Sequence, residues 1–206
     1  MIKNILFDMG STLIRFEPET FIRLAGVEDP ADRNALLWEV YRSAEWVALD
    51  RGAITEDQAE AAMCRRLPER LHPVAGRLIR HWDRPLLTVE GMEELVAELR
   101  DLGYELYLWT NAGPRHHEYW PRFPVARFFP EERIFRSSDW LLLKPEREFY
   151  EKALATQGLD PRECLFIDDS PPNAESAIRC GIDTIIFRGD AASCRRALRD
   201  RGIPVK

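Results

Sequence analysis

Residues 5–12 read Ile-Leu-Phe-Asp-Met-Gly-Ser-Thr, an apolar run that ends on a carboxylate, Asp8, and two positions later on a glycine, Gly10. The run extends back to Ile2, and three others share its character: Leu106 to Trp109, Leu165 to Ile167, and Thr184 to Phe187. None alternates apolar with polar residues, so each reads as a strand covered on both faces, the habit of parallel sheets. Helical patterns lie between them. Met92, Leu95, Val96, Leu99 and Leu102 repeat at helical spacing and stop at Gly103, a residue suited to ending a helix. A second helix follows Lys144-Pro145, with Phe149, Ala153 and Gln157 on one side and Gly158 at its end. A third begins at Ser170-Pro171, an N-cap followed by a first-turn proline. Strands and helices in this order predict an α/β fold built on a doubly wound parallel sheet.

Residues 16–87 break the rhythm, because they contain no strand candidate. Asp29-Pro30 opens a helix whose apolar face takes in Leu36, Leu37, Val40, Tyr41, Ala44 and Val47. Thr55 and Gln58 form a capping-box pattern ahead of a helix carrying Ala59, Ala62, Met63 and Leu67. The expected division is an α/β core of residues 1–15 and 88–206, with a helical insertion at 16–87 between the first and second strands.

Composition narrows the function. A chain of 206 residues that is 45% hydrophobic can bury one good core and a modest extra lobe. The net charge is −6 and the basic residues are scattered, so no basic stripe is available for nucleic acid, and a small molecule is the expected partner. Cys64, Cys164, Cys180 and Cys194 show neither Cys-x-x-Cys pairing nor zinc spacing and read as reduced thiols. No apolar stretch reaches the length of about 18 residues that a membrane span requires. The first residues enter a strand without a signal-like region, and a cytoplasmic location is expected.

Ligands of open parallel sheets bind beyond the carboxyl ends of the strands. Asp8, Thr110-Asn111 and Asp168-Asp169 all fall at such ends, and Lys144 lies just ahead of a helix. Together they can carry out phosphoryl transfer. An aspartate can attack phosphorus and split one hard displacement into two easier ones. The attacked group is itself anionic, so a divalent cation is needed to shield both; Asp8 with Asp168 and Asp169 offers the hard oxygen ligands that Mg²⁺ prefers. Thr110, the amides after it and Lys144 would neutralise the remaining phosphate oxygens. Asp169 is the expected direct metal ligand, with Asp168 acting through water. Ser11 and Thr12 are read as satisfying backbone groups of the turn.

These residues, in "FDMGSTL", "LYLWTN", "LLLKPE" and "FIDDSPPN", resemble in order the four motifs of the haloacid dehalogenase superfamily, most of whose members are phosphatases. The insertion at 16–87 looks like the helical cap of one of its subgroups. The wording "GAITEDQAEAAMC", "TNAGPRHHEYWP" and "KPEREFYEKAL" is most similar to sugar-phosphate phosphatases of the α-D-glucose-1-phosphate phosphatase type, and more distantly to the phosphatase domain of soluble epoxide hydrolases. The resemblance implies a Mg²⁺-dependent hydrolysis of a small phosphorylated metabolite, a sugar phosphate, through an aspartyl-phosphate. It also implies Asp8, Thr110 and Lys144 as catalytic, Thr110, Asn111, Lys144 and His116 as substrate-binding, and Asp8, Gly10, Asp168 and Asp169 as metal-binding.

The chain departs from the family pattern at Gly10, where phosphatases of the family usually place a second aspartate whose carboxyl protonates the leaving group. Glycine keeps the backbone carbonyl that the resemblance assigns to the metal and removes the acid, an effect of about 10²–10⁴-fold. His116, His117 or a cap residue could replace it. Trp46 and Trp120 are candidates for the pocket border. Two other functions fit parts of the pattern: a non-catalytic phospho-ligand-binding protein, and a 2-haloacid dehalogenase, which needs the aspartate nucleophile but no metal.

Overall fold

A computed structural model describes residues 1–206. Five parallel strands, β1 (Asn4–Phe7), β2 (Glu105–Thr110), β3 (Ile134–Arg136), β4 (Cys164–Asp168) and β5 (Asp183–Ile186), form one sheet in the order β3-β2-β1-β4-β5. The helices are α1 (Pro18–Leu24), α2 (Pro30–Leu36), α3 (Ala44–Arg51), α4 (Glu56–Cys64), α5 (His72–His81), α6 (Met92–Asp101), α7 (His116–Tyr119), α8 (Ser137–Trp140), α9 (Arg147–Gln157), α10 (Pro171–Arg179) and α11 (Ala191–Arg199). No helix is long and apolar enough to cross a membrane.

The sheet is covered on both faces, which explains the unbroken apolar runs. Successive strand side chains point to opposite faces. Ile5 and Phe7 enter one core with Leu95, Val96 and Leu99 of α6 and Cys194 and Leu198 of α11. Leu6 enters the other with Phe149, Tyr150 and Ala153 of α9, against Trp109 and Phe166. Phe7 is in register with Leu108 of β2 and Ile167 of β4. That register sets the next residues, Asp8, Trp109 and Asp168, side by side at the carboxyl edge.

The insertion after β1 packs a separate core. Leu36, Val40, Met63, Ala75 and Ile79 are buried in it, drawn from α2, the turn after it, α4 and α5. The chain leaves and re-enters the α/β body through two paired segments. Arg15 N–H donates to Leu87 O at 2.9 Å, Val89 N–H donates to Leu13 O at 3.1 Å, and Ile14 bridges Thr88 antiparallel.

Three expectations need correction. The helix expected from Pro30 through Val47 is two helices: α2 runs into a π-helical turn at Leu37–Tyr41, and α3 starts afresh at Ala44. Ser43 causes the break, because its hydroxyl donates to Val40 O at 2.7 Å and accepts from Trp46 N–H at 3.1 Å; Val47 then faces solvent. Ser170 precedes α10 without capping it through its side chain, since the Asp168 carboxylate takes the Ser170 N–H instead. The Thr12 hydroxyl is buried with no partner and satisfies no backbone group. The capping box forms as read, with Gln58 N–H on Thr55 Oγ1 at 3.2 Å and Thr55 N–H on Gln58 Oε1 at 2.9 Å. All four cysteines are free.

The two bodies meet where α3 ends. Gly52 has φ +77°, and a Cβ there would lie 2.7 Å from Ser138 O of α8. Gly26 has φ +83° with nothing within 4 Å of such a Cβ. Gly26→Ala should therefore lose only the left-handed backbone preference, about 1–2 kcal/mol, whereas Gly52→Ala should lose that and push cap from core. Urea unfolding of the two variants should show the larger loss for Gly52→Ala; equal losses would contradict the close approach.

Candidate active site

A buried ammonium organises the carboxyl edge of the sheet. Lys144 Nζ donates to Asp8 Oδ1 at 2.5 Å, to Asp168 Oδ2 at 2.8 Å and to Trp109 O at 2.9 Å, so its three N–H donors are all used. Its side chain is 1% exposed. Asn111, one residue past β2, holds the Lys144 backbone from both sides: Lys144 N–H donates to Asn111 Oδ1 and Asn111 Nδ2 donates to Lys144 O, each at 2.9 Å. Asp168 is fixed by Ser170 N–H at 2.8 Å and by Asn173 Nδ2 at 3.1 and 3.0 Å to its two oxygens. Asp8 N–H donates to Ile167 O at 2.9 Å and extends the β1–β4 ladder.

The charges do not balance. Carboxylate oxygens of Asp8, Asp168 and Asp169 lie within 4.8 Å of one another, and only Lys144 opposes them. Burial pushes the Asp8 carboxyl up to about 7, with Lys144 drawing it down and Asp168 raising it further. Burial and then Asp168 raise Asp169. Lys144 is raised on balance, because Asp168 and Asp8 outweigh the burial that works against its charge. Three hard carboxylates around one ammonium make a donor set that a divalent oxygen-seeking cation fits. Asp169 is exposed and free to turn towards it, while Asp168 is occupied by Lys144 and Asn173.

The turn after Asp8 brings Gly10 into the same cavity. Leu13 and Ile14 N–H both donate to Met9 O at 2.9 and 3.0 Å, and Ser11 takes φ +56°. Gly10 itself is not left-handed, and a Cβ there would meet only Phe16 Cβ at 3.7 Å, an ordinary contact. Neither space nor backbone conformation requires glycine at this position.

The cavity has a volume of about 220 Å³. Asp8, Gly10, Asn111, Lys144 and Asn173 form its polar floor, and the cap supplies Phe16, Trp46, Leu49, Ile79 and Trp82 as apolar wall. Glu56 and Arg115, also part of the lining, are joined by an ion pair at 3.2 Å. Asp50, on the last turn of α3, lines it too.

Several residues singled out in the sequence sit elsewhere. His116 is fully buried and does not line the cavity; Arg136 Nε donates to its Nδ1 at 2.8 Å, and Trp120 stacks on it at 5.6 Å. Burial and the Arg136 charge hold its imidazole well below its usual range, so the substrate-facing position expected for His116 is not where it lies. His117 is exposed outside the cavity, and Trp120 is buried away from it. Thr110 ends β2 with 1% exposure, next to the cavity rather than lining it. Asn111 lines the cavity, yet its amide is committed to the Lys144 backbone. Asp50, Phe16, Trp82 and Tyr119 were missed. Asp50 lies just ahead of the "GAIT" turn, where a lone helical acid reads as surface.

A parallel sheet whose carboxyl edge gathers an aspartate cluster on a buried lysine, under a helical cap, defines a class of hydrolases. The family profile for haloacid dehalogenase-like hydrolases matches residues 2–181, and the chain belongs to this family. A sesquiterpene phosphatase of Aspergillus oryzae is 25% identical over 193 residues, which are 93% of each chain. A chloroplastic flavin mononucleotide hydrolase of Arabidopsis thaliana is 29% identical over 126 residues, 57% of this chain and 46% of that protein, so the match spans less than half its length. The fold is shared with a family enzyme of Bacteroides thetaiotaomicron solved with magnesium and inorganic phosphate, with TM-score 0.68 and 23% identity over 94% of this chain and 99% of the other.

Asn111→Ala removes both bonds to the Lys144 backbone. At about 1 kcal/mol for each net hydrogen bond, the variant should be less stable by about 2 kcal/mol in denaturant unfolding. An unchanged midpoint would mean that the loop holds Lys144 without this amide.

Proposed function

We propose that the protein is a Mg²⁺-dependent phosphomonoesterase that works through an aspartyl-phosphate on Asp8. The observation that carries this is the cluster of Asp8, Asp168 and Asp169 around Lys144, which leaves excess negative charge where an anionic substrate must arrive. Asp8, Asp169 and the Gly10 carbonyl would hold Mg²⁺ with Asp168 behind them, and the bound ion would screen nucleophile from phosphate and polarise the phosphoryl oxygens. Asp8 is aimed at the cavity from a rigid strand end, and Lys144 fixes its orientation. Lys144 supplies fixed positive charge at the cavity floor opposite the equatorial phosphate oxygens, and the backbone after Thr110, which reaches the cavity at Asn111 and Gly113, stands beside them, with Thr110 behind it. The cap covers the site and excludes water from the first displacement.

The acid cluster also separates this reading from its rivals. A 2-haloacid dehalogenase has no use for three crowded carboxylates, and a pure binding protein has none for a nucleophile held against a buried ammonium.

The motif wording suggested a sugar phosphate, but the walls favour a different alcohol. The cap-side lining is largely aromatic and aliphatic, and Glu56, one of its few polar groups, is engaged by Arg115. Each sugar hydroxyl buried there without a partner costs about 1–3 kcal/mol. An ester of an aromatic or branched apolar alcohol gains from the same walls. The names of the two relatives, which act on a sesquiterpene and on a flavin nucleotide, support esters with large apolar or aromatic bodies.

Phosphate release should therefore require Mg²⁺, vanish with chelator and vanish in Asp8→Asn. In a screen of monophosphates, aryl and prenyl esters should exceed hexose phosphates in kcat/KM by at least about tenfold, one misplaced hydroxyl being worth roughly that much. Turnover of chloroacetate in chelator, or ligand binding without turnover across the screen, would overturn the assignment. Hexose phosphates as the best substrates would restore the sugar reading.

A further inference from the structure

Gly10 leaves the leaving group without the acid that its turn could have carried, although the turn has room for a side chain. Any replacement must be a proton donor that lines the cavity with Asp8. His116 and His117 do not. The titratable and charged groups that do are Asp8, Asp50, Glu56, Arg115, Tyr119 and Lys144. Asp8 is the nucleophile and is bonded to Lys144. Glu56 and Arg115 are paired with each other, and Arg115 also reaches Glu118 at 3.2 Å. Burial first, then the Asp50 charge, drive the Tyr119 phenol far above its ordinary value, which makes it a poor donor.

Asp50 differs from all of these. It is the cavity carboxyl without a cationic partner, since none of the ion pairs of the chain includes it. It sits on the last turn of α3, where the helix carbonyls disfavour an anion. Its position is held from the core side: the Ser137 hydroxyl donates to Asp50 O and itself accepts from Ala112 N–H at 2.9 Å. The Gly113 backbone lies so close to α3 that a Cβ on it would approach Leu49 O to 3.1 Å. Gly113 N–H and the Trp46 indole draw the carboxyl down, each favouring its anion. Burial outweighs them, Asp8 adds to it, and the group is pushed up to about 8. Asp50 therefore lines the same cavity as Asp8 and holds its proton more tightly than an ordinary aspartate.

We infer that Asp50 is the general acid and base of the reaction, standing on the cap in place of the acid missing at Gly10. The inference rests on the phosphomonoesterase reading above. In the first step a bond forms between an Asp8 oxygen and phosphorus, and the bond from phosphorus to the alcohol oxygen breaks. The electron pair stays on that oxygen, which takes the Asp50 proton and leaves as neutral alcohol. In the second step the Asp50 carboxylate takes a proton from water as the water oxygen bonds to phosphorus. The bond from phosphorus to Asp8 breaks, inorganic phosphate departs, and the Asp8 carboxylate and protonated Asp50 are restored.

The test compares two esters on one preparation in saturating Mg²⁺: p-nitrophenyl phosphate, whose phenolate leaves without a proton, and 2-phenylethyl phosphate, whose alkoxide needs one. Asp50→Asn should lower kcat for the alkyl ester by about 10²–10⁴-fold, the usual contribution of general acid catalysis, and for the aryl ester by less than about tenfold. The ratio of the two rates does not depend on how much of the preparation is folded. Asp50→Glu keeps a carboxyl and should hold the ratio within about tenfold of wild type even if its absolute rate falls. Equal losses on both esters in Asp50→Asn, or none on the alkyl ester, would overturn the role of Asp50 while wild-type activity kept the phosphatase reading. Wild-type protein that released phosphate from neither ester would overturn both.

Discussion

One ammonium buried among two carboxylates sets the geometry of this protein. Taking a lysine charge out of water costs several kcal/mol, which close, well-aimed counter-charges and filled donor positions must offset. Lys144 meets both conditions, with Asp8, Asp168 and the Trp109 carbonyl on its three protons. Each partner comes from the tip of a different strand, β1, β2 or β4, so the pair holds only if those tips stay in register. The apolar ladders behind them provide that register, with Phe7 between Leu108 and Ile167. The two cores of the sheet thus support a charge arrangement that no loop could hold alone.

The same arrangement fixes the chemistry. Two carboxylates would compensate for one ammonium only in excess, and Asp169 adds a third that is exposed and unengaged by Lys144. The remainder is a local negative charge at the floor of a cavity whose cap side is largely apolar. Such a floor repels a phosphate unless a cation joins it, and holds a phosphate firmly once one does.

Legibility from the sequence followed the range of the interactions. The tips of β1, β2 and β4 and the start of α10 announce themselves locally, because an apolar run ending on Asp8, Thr110 or Asp168 is a contiguous pattern. The strand β3 offers only Ile134 and Phe135 as apolar residues on a sheet edge, too short a run to stand out from a loop. The break at Ser43 was hidden because the helical spacing from Leu36 to Val47 continues across it, while the deciding bonds to Val40 and Trp46 come from one hydroxyl. His116 misled because a histidine after a strand end looks like a ligand. Its partner is Arg136, 20 residues away on β3, and nothing near His116 in the chain foretells it. Asn111 was read as a substrate contact for the same reason, its bonds being to Lys144, 33 positions on.

Asp50 shows how far such long-range placement can reach into function. An acid at position 10 would travel with the nucleophile on one rigid turn, and the two would stay aligned whatever the cap did. An acid on α3 belongs to a body joined to the core by the paired segments around Ile14 and Thr88 and seated by the Ser137 hydroxyl and the Arg51–Glu146 ion pair. With Asp50 as proton donor, donor and nucleophile would face each other across the boundary of cap and core, where the cap also walls the cavity. Covering the site and supplying the proton would then fall to one body of the chain. The burial that raises the Asp50 carboxyl and favours its protonated form belongs to the same packing of cap on core. The glycine in the turn is thereby consistent with a site whose acid is set by the fit of cap to core rather than by the strand that carries its nucleophile.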